Sequence, residues 1–424
     1  MSFTTALSGL NAAANNLAVT GNNIANANTT GFKKSRSEFA DVYAGSVGGV
    51  SRIQPGSGVR VAEVAQQFSQ GNMDPTGNSL DMGISGDGFF TLAKNPANLN
   101  ALVYSRAGAF EVDKSGLVVN PQGEALLAYT PNGTTVADGF SQGVLKTVSL
   151  NIGAGLPVST TKVDISVNLD ASKPAITKPF VPTDSTTYTA QTSVSIYDSL
   201  GASHTLTTYF VAGATGAPTR NWTAYHYITD VAPPVWIDDP PPPAVQLPVT
   251  MTFDSTGRLN PATGTGSVTY QPTLPAGSIK AAMNYNGSTQ LSSAFSVDAL
   301  KQNGLAAGKL TGISIDNSGV IFANFSNGAS NPLGKVALTR FVNPQGLAKL
   351  GDTTWAQSAN SGAPIPGDAG EGNFGGIQSG ALEQSNVDLT AQLVNLIAAQ
   401  QSYQANAKTI ATENTVIDTI LNIR

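Results

Sequence analysis

The chain has 424 residues, more than a single hydrophobic core normally organises, so two to four bodies are expected. Charged residues make up only 12%, and 22 Lys and Arg against 27 Asp and Glu leave a net charge of −5 with no basic run, which disfavours a nucleic-acid binder. Zero cysteines exclude disulfides and thiolate metal sites, two histidines leave little room for histidine chemistry, and no apolar stretch approaches the ~18 residues of a membrane span.

At the N-terminus, Phe3, Leu7, Leu10, Ala14, Leu17, Gly21 and Ile24 alternate at spacings of four and three, the apolar seam of a heptad helix. The opposite face, with Ser8, Asn11, Asn15, Asn16, Thr20, Asn22 and Asn23, carries no charge; Lys33 is the first charged side chain. A solvated helix would carry Lys and Glu there, so this face is expected to meet protein. The same uncharged start lacks the basic region of a secretory signal peptide, so export by that route is not expected. Gly31, Gly45, Gly48 and Gly49 follow the helix and are candidate hinges.

All 24 prolines lie between Pro55 and Pro366, and proline is barred from helix interiors by its ring and its missing N–H. The middle of the chain therefore reads as strands and turns. Val163, Ile165, Val167 and Leu169 alternate with polar residues as a half-buried strand does, and so do Leu206-Thr208-Phe210 and Val249-Met251-Phe253. Four segments share the form apolar-Asp-x-x-Gly, at Asp113, Asp198, Asp254 and Asp316. In each, the carboxylate is expected to cap a hairpin turn and the glycine to take positive φ. Single carboxylates do not make a calcium loop. Prolines 233–234 and 240–243 bracket Trp236 in what reads as a surface loop.

At the C-terminus, Leu389, Leu396, Tyr403, Ile410 and Ile417 recur every seven residues, with Leu393 and Leu421 on the interleaved positions of a second heptad seam. Asn386 is the expected N-cap, and the helix should run to about Asn422. Two such helices, roughly 35 and 55 Å long, would form a stalk. A lone pair has little core, so both ends are expected to be disordered in the isolated molecule and completed by lateral packing against further copies. The fold class is thus mainly β, with terminal α-helices as a coiled-coil stalk and two or more antiparallel β domains between them.

No catalytic, cofactor-binding or metal-ligating set emerges. Gly83-Ile84-Ser85-Gly86-Asp87-Gly88 lacks the final glycine of a nucleophile elbow, and Gly264-Thr265-Gly266 lacks the remainder of any nucleotide-binding loop. His204 and His226 sit in alternating strands and read as half-exposed strand residues. Asp238-Asp239 and Asp368 with Glu371 read as solvated loops rather than the paired carboxylates of glycoside hydrolysis.

Both ends nevertheless match a known pattern. Ser8-Gly9-Leu10 followed by Asn22-Asn23-Ile24-Ala25-Asn26-Ala27-Asn28-Thr29-Thr30-Gly31-Phe32-Lys33, and Ser385-Asn386-Val387-Asp388-Leu389 through Gln401-Ser402-Tyr403-Gln404-Ala405-Asn406-Ala407, resemble the terminal signatures of the bacterial flagellar rod and hook family. Phe39-Ala40-Asp41-Val42-Tyr43, Ser85-Gly86-Asp87-Gly88-Phe89-Phe90, Tyr197-Asp198-Ser199-Leu200-Gly201 and Gly346-Leu347-Ala348 are similar to the hook branch rather than the rod branch.

The resemblance implies an extracellular homopolymeric tube, flexible and torque-transmitting, exported through the flagellar type III apparatus. Its implied neighbours are the distal rod protein, the hook cap and the hook–filament junction proteins, with no cofactor, nucleic acid or membrane insertion. The corresponding division is a terminal helical domain (1–32 and 384–424), connecting segments (33–71 and 366–383), an inner β domain (72–150 and 283–365) and an inserted outer β domain (151–282). The assembly residues are then Phe3, Leu7, Leu10, Leu17, Ile24, Leu389, Leu393, Leu396, Tyr403, Ile410, Ile417 and Leu421. A distal rod protein, or a secreted β-rich adhesin or glycan-active enzyme, is the alternative, the last leaving both charge-poor helices unexplained.

Overall fold

The computed structural model describes residues 3–42, 56–150, 155, 157–216, 219–237, 248–270 and 278–422. Tyr43, the candidate hinges Gly45, Gly48 and Gly49, the Asp238-Asp239 pair and prolines 240–243 lie outside the described residues.

The described chain is mainly β with one helix at each end, α1 (Phe3–Ala25) and α2 (Leu389–Leu421). Alanines and the absence of proline favour α1. The N-cap of α2 is Asp388, whose carboxylate accepts the Ala391 N–H at 3.1 Å. Asn386, expected to cap, is instead drawn into a backbone junction described below. Where the sequence suggests disordered ends, both helices are formed. They have anchors the seams do not reveal, since the polar face of α1 binds the chain's own hairpin, β1 (Ser35–Asp41) with β2 (Val59–Gln66). Ser37 donates to Asn15 at 2.9 Å and the Val59 N–H donates to Ser8 at 3.1 Å. The protein met by this uncharged face is thus, at these residues, the same molecule.

Chain contacts divide the structure into two compact units. The first holds residues 1–151, 312–323 and 330–424, the second 152–311 and 324–329. In the first unit an antiparallel path runs Ser330–Arg340, Ala125–Pro131, Phe89–Asn95, Asn98–Ser105, Thr354–Ala356, Ala348–Gly351. Phe89, Tyr104, Phe341, Leu347 and Trp355 form an aromatic core on it. Two short ribbons bring the returning chain beside its early part: Gly376–Ser379 pairs with Met82–Ser85, and Ala381–Glu383 with Met73–Pro75.

The second unit has two five-stranded sheets sharing one core. Val163, Ile165, Val167 and Leu169 are fully buried in it, as their alternation predicts, with Leu206, Phe210, Val249, Met251 and Phe253. One sheet is antiparallel, but in the other Lys162–Asp170 runs parallel to Ile279–Asn284 and to Thr289–Leu291. More than a hundred residues separate the first pair, so no hairpin dictates its direction. The expected boundary at 282 falls inside a strand. Residues 283–311 belong to the second unit because Met283 and Tyr285 fill its core and Ser296–Gln302 pairs with Lys162–Asp170.

The four Asp turns share one geometry. In each, one carboxylate oxygen accepts the N–H groups two and four residues on, at 2.7–3.0 Å. Gly116, Gly201, Gly257 and Gly319 all have φ near +80°. Hydrogen bonds hold Asp113 and Asp254 below the usual carboxylate range, chiefly the Leu117 N–H for the first and the Thr256 hydroxyl for the second.

Three expectations about loose polar residues fail. His226 is fully buried, its Nε2 2.5 Å from the Tyr285 hydroxyl, because its side chain points to the core face of its strand. His204 is largely covered and lies 3.1 Å from Asp230. Asp368 is buried against Lys335, at 2.7 Å, whereas Glu371, 3.3 Å from the same lysine, stays exposed as expected.

Candidate assembly site

Moving from Gly9 to Asn23 along α1 moves from Asn406 back to Gln392 along α2, the same fourteen residues, so the helices run antiparallel in one register. A Cβ on Gly9 would lie 2.6 Å from the Asn406 side chain, and Asn23 Nδ2 donates to Gln392 at 3.3 Å. The buried residues of the pair are Ala6, Ala12, Ala13, Thr20 and Asn23 on α1 and Gln392 and Ala399 on α2. The contact within one molecule is therefore made by small and polar side chains, one position away from the apolar seam.

The apolar seam is left largely uncovered. Phe3 and Leu7 are exposed on α1, with Leu10, Leu17 and Ile24 half-buried. On α2, Leu389, Leu393, Tyr403, Ile417 and Leu421 are exposed, the last at 71%, and Leu396 and Ile410 are half-buried. Val394, Ile397, Val416 and Ile420 are also exposed and were not singled out by the heptad pattern, although their apolar type at helical positions was signal enough.

The segment after α1 does a different job. Asn23 clamps Ser35, accepting its N–H at 2.9 Å and donating to its carbonyl at 2.8 Å. Asn26 donates to the Asn22 carbonyl and accepts from Thr29, closing the turn that ends the helix, while Ala25 and Asn28 stay exposed. Gly31 has φ +69°, and a Cβ there would sit 2.5 Å from the Ala107 nitrogen, so the position demands glycine. Its N–H donates to the Glu383 carbonyl at 2.7 Å. Asn386 accepts the Lys34 N–H at 2.8 Å and donates to the Gln67 carbonyl at 2.7 Å. Asn22, Asn26, Thr29 and Phe32 border a groove of about 550 Å³ that also reaches Lys349 and Trp355.

At the centre of this junction is a buried ion triad. Lys33 Nζ lies 2.6 Å from Glu383 Oε1, and Arg106 Nη1 3.3 Å from Glu383 Oε2, all three side chains at 3% exposure or less. Lys33 also donates to the Ser69 carbonyl and Glu383 accepts the Gly71 N–H, each at 2.9 Å. Burial pulls Lys33 and Arg106 below their ordinary values, with Glu383 opposing it. Arg106 was not picked out in the sequence, where a single arginine at the end of a strand carries no pattern. Among the described residues, no group of three or more His, Cys, Asp or Glu is arranged to hold a metal ion.

Residues 3–33 match the flagella basal body rod protein family, 83–177 the flagellar hook protein FlgE/F/G D1 domain, 168–305 the flagellar basal body protein FlaE D2 domain, and 378–423 the C-terminal family of the flagellar basal body rod FlgEFG proteins. The crystal structure of Helicobacter pylori flagellar hook protein FlgE2 has a similar fold, at a TM-score of 0.55 and 17% identity, over 73% of this chain and 100% of that one. Flagellar hook protein FlgE of Borreliella burgdorferi is 33% identical, over 99% of this chain and 98% of its own. Since FlgE of Salmonella typhimurium is 37% identical over the full length of both chains, the protein belongs to the flagellar hook protein FlgE family.

Proposed function

We propose that the chain is the repeating subunit of a flagellar hook, a self-assembled flexible tube that carries motor torque from rod to filament. The observation that carries this reading is the uncovered apolar row on both terminal helices, next to an intramolecular contact built from alanine, glycine and asparagine. Covering each half-exposed leucine would contribute roughly 1 kcal/mol, so a row of them supports association that a lone molecule leaves unused.

On this reading further copies of the chain cover Phe3, Leu7, Leu10, Leu17 and Ile24 and the α2 row from Leu389 to Leu421. The motif from Asn22 to Lys33 fixes how the helical end joins the strands of the first unit. The distal rod protein, the hook cap and the junction proteins are the neighbours at the tube's ends, and subunits reach the extracellular face through the flagellar type III apparatus. The role is structural and no reaction is assigned.

Leu393→Asp tests this directly, because Leu393 is 46% exposed and is not among the buried residues of the helix pair. The expected outcome is a chain with unchanged circular dichroism and melting that forms no tubes in electron micrographs under precipitating salt. Tubes of normal diameter from this variant would refute the assignment of the row.

A further inference from the structure

The sequence holds four Asn-Gly pairs, Asn132-Gly133, Asn286-Gly287, Asn303-Gly304 and Asn327-Gly328. Asparagine before glycine can close a ring on itself, because the glycine carries no Cβ to hinder its nitrogen from reaching the side-chain carbonyl carbon. Closure needs a carboxamide free to swing and a following N–H free to lose its proton. The fold denies both at two of the pairs. Asn303 accepts the Thr161 and Lys162 N–H groups at 2.9 Å and donates to the Thr161 hydroxyl at 2.7 Å, while the Gly304 N–H is tied to the Gln302 side chain. Asn327 donates to the Ala306 carbonyl at 2.6 Å and accepts the Ala329 N–H at 3.0 Å, while the Gly328 N–H donates to the Phe325 carbonyl at 3.0 Å. Asn132 is held by a single 3.5 Å bond to the Asp138 carbonyl, but the Asp138 carboxylate stands where a Cβ of Gly133 would lie, and a nearby anion opposes loss of the Gly133 proton. Asn286 differs from all three. It and Gly287 are exposed, at the centre of a turn closed by the Ser288 N–H on the Tyr285 carbonyl at 3.0 Å, with Gly287 at φ +91°. Among the described residues neither the Asn286 carboxamide nor the Gly287 N–H has a hydrogen-bond partner. On the facing strand the Asp164 carboxylate is neutralised by Lys162 at 2.8 Å.

We infer that Asn286-Gly287 is a self-modification site, at which the folded chain converts Asn286 to aspartate and isoaspartate with water as the only co-reactant. The Gly287 nitrogen gives its proton to water or hydroxide and attacks Asn286 Cγ. The bond from Cγ to Nδ2 breaks, and Nδ2 takes a proton and leaves as ammonia, so the product is a cyclic imide. Water then opens the imide at either carbonyl, giving aspartate by one C–N cleavage and isoaspartate by the other. The balance is one water consumed and one ammonia released. Isoaspartate inserts an extra backbone carbon into a turn whose ends are pinned, since Tyr285 is fully buried and the buried Ser288 hydroxyl accepts the Val167 N–H at 3.2 Å. The second unit therefore loses stability as the modification accumulates.

The test incubates the full-length, unpolymerised protein at mildly alkaline pH and follows its tryptic peptides by mass spectrometry, with the same protein in urea as the unfolded reference. Peptide 281–301 is expected to gain the mass difference between amide and acid and to split into aspartate and isoaspartate forms, with fragment ions placing the change at Asn286 and not at Asn284. The peptides holding Asn303 and Asn327 should convert more than about tenfold more slowly, because each hydrogen bond that must open first slows closure by about fivefold. In urea the four pairs should converge on one rate. An intact Asn286 in the folded protein, or four equal rates there, overturns the proposal. Asn286→Gln keeps the exposed amide but lengthens the side chain by a methylene, which disfavours the ring. It is expected to abolish the change in peptide 281–301 and to hold its melting temperature through the incubation while that of the wild type falls. The same conversion of peptide 281–301 in this variant would place the reaction elsewhere and overturn the assignment.

Discussion

Lys33 and Glu383 are 350 positions apart in the sequence and 2.6 Å apart in the fold, with Arg106 on the far oxygen of the same carboxylate. Taking three charges out of water is costly, and the arrangement persists because Glu383 also receives the Gly71 N–H and Lys33 also binds the Ser69 carbonyl. Removing the shared anion leaves two buried cations facing each other. Glu383→Gln is therefore expected to destabilise the first unit by about 3–5 kcal/mol, read from the midpoint of denaturant unfolding. A loss below about 1 kcal/mol would mean the triad is solvated in solution. At this scale legibility follows locality. The four Asp turns could be read because donor, acceptor and glycine lie within five residues. Arg106 could not, since its partners come from both ends of the chain. Asn386 and Asp388 are equally plausible caps by residue type, and only the approach of Lys34 and Gln67 takes Asn386 away.

The two helices show how much a heptad pattern tells and what it omits. Period and proline-free composition fixed their existence and nearly their ends, since α2 stops at Leu421 against an expected limit near Asn422. Which stripe faces inward was hidden, because the pattern marks the most apolar stripe and the molecule closes on the stripe of alanine, glycine and asparagine beside it. Direction within the mixed sheet was hidden for a similar reason, as alternation reports burial and not the partner strand. The helices are also unequally held. α1 is tied to its hairpin through Ser8, Asn15 and Asn23, whereas from Val416 to Leu421 every residue of α2 is exposed. Amide exchange in the unpolymerised protein should therefore be slow near Asn23 and Gln392 and progressively faster toward Ile420, with the gradient abolished in tubes. Uniform protection along α2 in the lone chain would show that its outer face is already satisfied.

For the molecule as a whole, composition and connectivity were legible while boundaries were not. Length and proline distribution pointed to several bodies with a strand-rich middle, and the family resemblance to an inserted one; the second unit continues past residue 282 to 311 because Met283 and Tyr285 fill a core whose other residues begin at Val163. The low charge, 12%, bears on bending. On the proposed function each subunit shifts its contacts once per turn, and interfaces of neutral polar groups and bridging water slide where ion pairs would hold. Bending stiffness of assembled tubes should accordingly vary little between low and high salt, and a several-fold change would point to charged interfaces instead. On the proposed function the terminal helices present a surface that only identical copies complete. Removing residues 1–25 and 389–424 and imaging the remaining chain by electron microscopy, under salt that polymerises the intact protein, measures this most directly: discrete particles are predicted, and hollow tubes would contradict the account.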